Sequence, residues 1–341
     1  MMASVTEVSR MAKQPYGGFI RPSQFTTVKF ADAEELAQVE NLAPATVGMV
    51  VDYMTRYMMG AEYTEAFEIP YKGAIIAERL GYENALNDAE SLLKMIKGLD
   101  DESIESACKM VWFDAYYRVP MWAKQHQNDG RNNADAQTIS NIRVMVKRSL
   151  SFWEEYGPIV KDGFTFEPAN EIKGKELRGA IESGYYGGYT RTVSRGDGDY
   201  LSKDTLWDFK VSKKKLTSKV TLQVLMYWIM GIHSGQEEFK PIDKLGVFNP
   251  RQNVAYTINI ADIPKEVITA VEHDVIGYGK DLQLRKRYKE GDIVEHRAFG
   301  KGKIEKASDT GNDQILTIRF EKVGIKKTMA NFAPLTKITE E

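Results

Sequence analysis

The stretch from residue 195 to residue 227 constrains the fold more than any other part of this 341-residue chain. It reads RGDGDYLSKDTLWDFKVSKKKLTSKVTLQVLMY. Two acidic turns precede a short apolar run that ends in Asp-Phe-Lys, and an apolar run bounded by turn signals predicts a buried strand. A lysine cluster follows, and the apolar residues 217–230 contain no Gly or Pro, which predicts a helix. The stretch therefore predicts strand, turn, strand and helix in succession.

The patterns along the whole chain predict four regions. Residues 1–43 are punctuated by Gly, Pro and Ser and then become acidic, which is typical of a lead-in arm. Residues 44–160 carry apolar residues at helical spacing. Residues 161–283 alternate strand and helix patterns, which predicts a mixed sheet flanked by helices. Residues 284–341 begin as a basic link and continue as short, turn-rich strands, typical of a small β-barrel.

Composition limits the kinds of partner and site. A formal net charge of −2 gives no global attraction to nucleic acid, so an anionic partner has to meet local basic patches. The single cysteine, Cys108, excludes an internal disulfide and a cysteine-built zinc or iron–sulfur site. No apolar run approaches the roughly 20 residues of a membrane span, and residues 1–19 lack the apolar core of a signal peptide. We therefore expect a cytoplasmic protein with no membrane partner.

The helical region is rich in methionine and aromatic side chains. Packing between helices is the expected role of such residues, rather than a cofactor pocket. The set consists of Met54, Met58, Met59, Trp112, Phe113, Tyr116, Tyr117, Trp122, Phe152 and Trp153.

Two aspartates and a lysine in the central stretch are expected to converge. Asp199 ends one predicted strand, and Asp208 lies on the next. Because adjacent strands lie roughly 5 Å apart, the two carboxylates can share one ion, and oxygen ligands suit Mg²⁺ or Mn²⁺. Lys210 points to the same strand face as Asp208, since side-chain direction has a period of two. Such a trio suits phosphodiester hydrolysis, and Asp197 is the alternative first acid.

Three motifs carry a resemblance to a known family. They are Gly196-Asp-Gly-Asp199, Leu206-Trp-Asp208-Phe-Lys210 and, on one face of the predicted helix, Gln223-Val-Leu-Met-Tyr227. Together they resemble the PD-(D/E)xK nuclease superfamily, and within it the RecB-like branch, over residues of about 165–260. The resemblance implies an α/β restriction-endonuclease-like core and a metal-dependent nuclease that acts on DNA. RNA is a substrate that the sequence leaves open.

The resemblance also implies a role for each motif residue. Asp199 and Asp208 would be ligands of Mg²⁺ or Mn²⁺, with the main-chain carbonyl of Phe209 as a third ligand. Lys210 would be the catalytic lysine, and the remaining two, Gln223 and Tyr227, would position the active site or the DNA strand. Four lysines adjoin this phosphate site, and some of them are expected to contact the nucleic-acid backbone. They are Lys213, Lys214, Lys215 and Lys219.

One expected family residue is missing. Many RecB-like nucleases carry a histidine on an upstream helix in a pattern like G-x-x-x-H, and the best match here, residues 73–77, ends in alanine. An upstream acid would then take its place. The candidates, which the sequence does not rank, are Glu154, Glu155, Glu176 and Glu182.

The C-terminal region carries a second resemblance. Its residues include Gly291-Asp292, Val294, His296, Phe299-Gly300, Gly302, Ile304, Gly324-Ile-Lys-Lys and Phe332-Ala-Pro-Leu. Over about 288–339 they resemble the Tudor-like domain that ends the PcrA/UvrD helicases, although the chain has no G-x-x-x-x-G-K-[ST] phosphate loop. That domain docks on RNA polymerase, so the resemblance implies a protein-docking role, and the basic surface suits DNA equally well.

Two hypotheses of function follow. The first is a Mg²⁺- or Mn²⁺-dependent deoxyribonuclease with a helical N-terminal region and a Tudor-like docking domain. The second is a non-catalytic adaptor, in which a nuclease fold binds nucleic acid or a polymerase with little or no hydrolysis.

Overall fold

The computed structural model describes residues 3–32, 34–126, 132–171, 173–279, 288–296, 298–309, 314–330 and 335–338. For residues 175, 176, 181–183, 309 and 329 it describes the main chain alone. In this part of the chain a six-stranded mixed sheet is flanked by helices, and a separate five-stranded antiparallel sheet lies at the C-terminus. The predicted mixed α/β architecture is thereby confirmed. No helix in the described ranges has the length and apolar character that crossing a membrane requires.

The helices and strands have the following bounds. The helices are α1 (Val5–Met11), α2 (Pro44–Met58), α3 (Tyr63–Ala66), α4 (Glu68–Arg79), α5 (Ala85–Met95), α6 (Asp101–Val111), α7 (Asp114–Arg118), α8 (Pro120–Gln125), α9 (Ala136–Tyr156), α10 (Gly174–Ser183), α11 (Ser218–Ser234) and α12 (Lys265–Ala270). A π-helical segment, Val271–Ile276, continues α12. The strands are β1 (Thr26–Lys29), β2 (Ile159–Phe164), β3 (Gly198–Ser202), β4 (Thr205–Phe209), β5 (Lys244–Asn249), β6 (Val254–Asn259), β7 (Ile293–His296), β8 (Gly300–Asp309), β9 (Gln314–Phe320), β10 (Gly324–Met329) and β11 (Leu335–Ile338).

The larger sheet has the strand order β1-β6-β5-β4-β3-β2. Strands β2, β3 and β4 form an antiparallel meander, and β4 pairs in parallel with β5. An antiparallel pair can be closed by a tight turn, whereas a parallel pair needs a longer crossover. The sequence supplies both, a two-residue turn after β3 and α11 after β4. The predicted succession of strand, turn, strand and helix is therefore present.

Side chains of this sheet alternate between two cores. Leu206 and Leu245 point to one face and pack with α11 in an aliphatic core. Trp207 and Phe248 point to the other face and pack with α9 in an aromatic core. There, Phe152 of α9 stacks on Phe248 with ring centroids 4.1 Å apart. Both faces of the central strands are therefore buried.

Helix α9 belongs to two cores. Its first half, with Ile142 and Met145, packs in the core that α2 to α8 enclose. Its second half, with Phe152 and Trp153, covers the aromatic face of the sheet. One continuous helix thus joins the helical layer to the sheet.

Three of the ten methionine and aromatic residues expected in the core are exposed. Met59 is 40% exposed, Tyr117 43% and Trp122 49%. For these three the prediction was wrong, because they lie at helix ends or on short helices that the sequence pattern merged with longer ones. Trp122 lies on α8, which Pro120 begins, and its ring stacks on His126.

The N-terminal residues do not form a separate lead-in arm. Val5 and Val8 of α1 are buried in the core beneath α11, and β1 pairs with β6 at the edge of the larger sheet. Sequence patterns did not indicate this, because α1 has only seven residues and β1 is an edge strand with mostly exposed side chains. Long-range packing decides the structure of such short segments.

The smaller sheet has the order β10-β9-β8-β7-β11 with all pairs antiparallel. Its own core contains Val294, Ile304, Ile318 and Phe320. His296 is a structural residue of this sheet, because its Nδ1 accepts the amide hydrogen bonds of Ala298 and Phe299, at 3.1 and 3.2 Å.

One glycine substitution tests the packing of the larger sheet, and a second, on α10, serves as its control. Gly246 of β5 lies beside Trp207 of β4, and a Cβ at Gly246 would lie 2.3 Å from Trp207 Cε3. Gly246→Ala is expected to lower the free energy of unfolding by about 1–3 kcal/mol through overpacking. Gly179→Ala on α10, where a Cβ meets no atom of the described residues within 4 Å, should raise it by about 1 kcal/mol. Urea unfolding measures both changes, and a neutral Gly246→Ala would contradict this packing.

Candidate functional site

Asp199 and Asp208 face each other across two neighbouring strands. The Leu201–Leu206 pair sets the register of β3 and β4, and its continuation places Asp199 opposite Asp208. Side chains opposite each other in this way have Cβ atoms roughly 5 Å apart, and like charges there are destabilising. The Phe209 amide donates a 2.7 Å hydrogen bond to Asp199 Oδ2. The strands thus hold two carboxylates side by side.

Lys210 joins the pair from the end of β4. Its Nζ donates a 2.9 Å hydrogen bond to Asp208 Oδ1. The other oxygen, Asp208 Oδ2, is buried and has no hydrogen-bond partner among the described residues. A buried acceptor without a partner costs about 1–3 kcal/mol. The orphaned oxygen therefore marks a position where a ligand would be stabilising.

Burial and mutual repulsion perturb the pKa values of the three groups. The pKa of Asp199 is raised to about 7, mainly by burial and also by the charge of Asp208, while Lys210 and the hydrogen bond from the Phe209 amide act in the opposite direction. Burial also raises the pKa of Asp208, with Lys210 opposing. The pKa of Lys210, which burial alone would lower, is raised by the two carboxylates. Two acids share one ammonium, so their ionised state leaves an excess negative charge that a cation would balance.

The donor set fits a hard divalent cation. Two carboxylates and the main-chain carbonyl of Phe209 are all oxygen donors, which suit Mg²⁺ or Mn²⁺. Across the described ranges no three His, Cys, Asp or Glu side chains form a complete metal cage. Mg²⁺ does not need one, since it keeps several waters and is often held by one or two carboxylates together with substrate phosphates. The orphaned Asp208 oxygen is the observation that supports this fit.

Gln223 and Tyr227 lie on the buried face of α11. Gln223 Nε2 donates to Tyr227 Oη at 2.7 Å and to Thr6 Oγ1 of α1 at 3.1 Å. Burial, with the charges of Asp208 and Asp199, raises the pKa of Tyr227 well above its ordinary value, so its hydroxyl stays neutral. Neither side chain lines the cleft described next. Their geometry suits a supporting role behind the acids.

A cleft of about 810 Å³ opens in front of Asp199 and Lys210, between the sheet and the helical layer. This volume is in the range of ligand-binding pockets. Residues of α1, α2, α3 and α4 form its walls together with the ends of the strands. Its charged lining residues are Arg10, Asp52, Arg56, Glu65, Glu68, Arg118, Lys161, Asp197, Asp199 and Lys210.

Asp52 of α2 is a site residue that the sequence did not indicate. It lines the cleft with Asp199, and its charge raises the pKa of Asp199. Tyr200 Oη donates to Asp52 Oδ1 at 2.8 Å, and Arg56 Nε lies 3.3 Å from the carboxylate. The local sign that Asp52 could be a site residue is that it is a single acid within the otherwise apolar run MVVDYM. Only the tertiary fold shows that this helix faces the strand ends.

Of the four candidate upstream acids, the structure describes the side chains of two. Glu154 and Glu155 are exposed on α9 and do not line the cleft, while the side chains of Glu176 and Glu182 lie outside the described residues. Asp52, by contrast, lies upstream in the sequence, lines the cleft and raises the pKa of Asp199.

Residues 73–77 have a packing role on α4. A Cβ at Gly73 would lie 1.9 Å from the Phe113 carbonyl oxygen, so glycine lets α4 and α7 approach closely. Ala77 is fully buried.

The four lysines after β4 are exposed and do not line the cleft. Lys213 Nζ donates to the Gln38 carbonyl at 2.6 Å, while Lys214, Lys215 and Lys219 project to solvent. A contact of these lysines with nucleic acid stays a prediction. Asp197 is exposed and does line the cleft, so it too stays the alternative first acid.

Comparison with known proteins identifies the C-terminal unit. Residues 291–337 match the PcrA/UvrD tudor domain, which confirms the Tudor-like part of the expectation. In the structure this segment contains β7 to β10 and most of β11. A search of curated proteins finds no match for the chain.

The raised pKa of Asp199 predicts a pH-dependent stability without metal. Its folded pKa of about 7 lies above the unfolded value of about 3.9. The folded state therefore binds more protons between these values, and stability falls as pH rises through this window. Asp199→Asn removes the ionisable group, and with it the loss of stability at higher pH. In EDTA, its melting temperature should exceed that of the parent by more at pH 8 than at pH 4.5.

Asp204→Asn is the matched control. Its hydrogen bond from Lys244 lowers the pKa of Asp204, so this carboxylate stabilises the fold above its unfolded pKa and the stabilisation is lost in acid. Removal of the Asp204 carboxylate should therefore lower the melting temperature at pH 8. An equal increase in melting temperature for Asp199→Asn at pH 4.5 and at pH 8 would contradict the buried acid pair.

Proposed function

We propose that the protein is a metal-dependent nuclease that hydrolyses phosphodiester bonds in DNA, of the PD-(D/E)xK type. The observation that carries this proposal is Asp208. Its carboxylate is buried directly across from Asp199; one oxygen accepts a hydrogen bond from Lys210, and the other has no hydrogen-bond partner among the residues that the structure describes. A purely structural carboxylate would have its second oxygen satisfied.

The architecture around the acids supports the proposal. The three motifs lie on β3, β4 and α11 or directly next to them, in a mixed sheet flanked by helices. That is the arrangement implied by the resemblance to the restriction-endonuclease-like core. The proposed core comprises residues 161–283, to which α1 and β1 add from the N-terminus.

The chemistry follows from Asp199, Phe209 and Lys210, which line the cleft, and from Asp208, which is buried beside them. A bound Mg²⁺ or Mn²⁺ would stabilise charge on the phosphate and lower the pKa of an attacking water. Asp199, Asp208 and the Phe209 carbonyl would hold the ion. Lys210 keeps its proton at neutral pH, because the acids raise its pKa. Its ammonium can therefore orient the water and stabilise the negative charge that develops on the phosphate.

Cleavage of DNA tests the proposal directly. The protein is expected to cut fluorescein-labelled DNA with Mg²⁺ or Mn²⁺ and to stop in EDTA. Asp208→Asn and Lys210→Met should each lower the rate roughly 100-fold or more, since each removes charge stabilisation in the transition state. Asp204→Asn, on the turn before β4 and outside the cleft lining, should cut like the parent. The substrate specificity follows from comparing the cleavage rates on circular duplex DNA, linear duplex DNA, single-stranded DNA and RNA.

Metal binding separates the two hypotheses of function. Mn²⁺ at about 100 times its dissociation constant should stabilise the parent by about 2.7 kcal/mol, and thus raise its melting temperature. Asp208→Asn should abolish this shift. No cleavage and no shift would favour the non-catalytic adaptor, whereas persistent metal-dependent cutting by Asp208→Asn would refute the assigned site. Asp197→Asn and Asp199→Asn, compared in the same assays, identify the first acid.

The tudor domain is proposed to dock the nuclease on RNA polymerase. Strand register places Ile325, Arg319, Lys303 and Ile293 in one row across four strands. Part of this row lines a cavity of about 420 Å³. The mixture of apolar and basic side chains suits an acidic protein surface better than a uniformly charged one.

A charge reversal tests the docking proposal. Lys303→Glu should weaken capture of purified RNA polymerase about tenfold or more, because charge-assisted contacts contribute roughly 1.5–3 kcal/mol, and should leave DNA cleavage unchanged. Lys265→Glu, at an exposed lysine of α12, is the control. If the parent binds DNA but not polymerase through this surface, the docking role is wrong.

A further inference from the structure

The N-terminal helix is fixed against the proposed site by specific contacts. Ser4 caps α1 in a capping box with Glu7, and Glu7 pairs with Arg195. The Val5 amide donates to the Arg195 carbonyl at 3.1 Å. Thr6 accepts the hydrogen bond from Gln223 of α11. Val5, Thr6 and Glu7 thus hold α1 to α11 and to the segment that precedes β3.

This placement brings Arg10, in the last turn of α1, into the cleft. Its exposed side chain lines the cavity together with Lys210 and Asp199. Arg10 and Lys210 therefore present their positive charges to the same cavity. Within the described residues the Arg10 guanidinium forms no ion pair.

The other cations of the cleft are already paired with carboxylates. The pairs are Arg56 with Asp52 and Asp162, Arg118 with Asp114, Lys161 with Glu238, and Lys210 with Asp208. Arg10 therefore differs from them, since its charge is available to a ligand. Two neighbouring cations that face one cavity repel each other, and an anion between them would remove that repulsion.

We propose that Arg10 binds a phosphate of the substrate strand, next to the phosphate that is cut. This inference rests on the proposed nuclease function. A guanidinium matches the oxygens of a phosphate in a bidentate geometry. Each such contact adds affinity through release of counterions and positions the strand without reading its sequence. Burial of Val5 and Val8 fixes the helix, so Arg10 is presented by a rigid element.

The test compares Arg10→Ala with Arg10→Lys and with Lys13→Ala. Lys13 follows α1, is exposed and does not line the cleft, which makes it the matched control. The probes are fluorescein-labelled single-stranded and duplex 20-mers, and the readout is anisotropy in EDTA between 50 and 300 mM salt. Arg10→Ala should weaken binding about tenfold and reduce the slope of log K against log salt by about 1.

Arg10→Lys keeps the charge, so it should retain the salt slope of the parent while losing part of the affinity. Lys13→Ala should bind like the parent. In cleavage assays Arg10→Ala should raise KM with little change in kcat, since the contact is uniform in the ground and transition states. A purely structural role of Arg10 would instead lower the melting temperature and leave the salt slope unchanged.

The outcomes separate this inference from the proposed function. If Arg10→Ala binds DNA with the affinity and salt slope of the parent, the phosphate site is wrong even when the parent cuts DNA. If the parent does not cut DNA but Arg10→Ala still weakens binding and reduces the slope, the phosphate site stands and the nuclease proposal fails. An equal loss for Lys13→Ala would show non-specific attraction and overturn the inference.

Discussion

The opposition of two aspartates across neighbouring strands is the constraint on which the rest of the structure depends. Asp199 and Asp208 are held at a distance where like charges repel, and burial strengthens that repulsion. One ammonium, that of Lys210, compensates only part of it. Such an arrangement lowers the free energy of unfolding, and packing in the surrounding cores offsets this loss. The aromatic layer on one face of the sheet and α11 on the other leave the strands little freedom to relax.

The helical layer and the N-terminal helix complete the site from outside this sheet. α2 brings Asp52 to the strand ends, and α1 brings Arg10. Arg56 links the layers, because it pairs with Asp52 on its own helix and with Asp162 on β2, and its guanidinium lies 4.7 Å from the ring centroid of Tyr200. The cleft is therefore a property of the assembled chain rather than of the stretch that carries the motifs.

The sequence allowed prediction of those features that depend on local patterns. Strand period and turn chemistry sufficed to place Asp208 and Lys210 on one face, and helical spacing placed Gln223 beside Tyr227. The same patterns gave the alternation of strands and helices and the short strands of the tudor domain. Each of these follows from residues within a few positions of each other.

Other features could not be predicted, because they depend on residues distant in sequence. Nothing local distinguishes Asp52 from an ordinary helical acid, or Arg10 from a surface cation. The short α1 and β1 have too few residues for a period to be visible, so packing against α11 and β6 decides their structure. The exposure of Trp122 likewise depends on where Pro120 starts a new helix. Tertiary context outweighs local preference at all of these positions.

The hydrogen bond between Thr6 and Gln223 has a consequence for synthesis of the protein. Its two ends are 217 residues apart, so ribosomes complete the N-terminal helix long before its packing partner exists. At about 5–20 residues per second the interval is on the order of 10–40 s. During that time α1 has no surface on which to fold. The proposed phosphate contact and the acid pair therefore come together only late in translation, and a partly synthesised chain lacks the assembled candidate site.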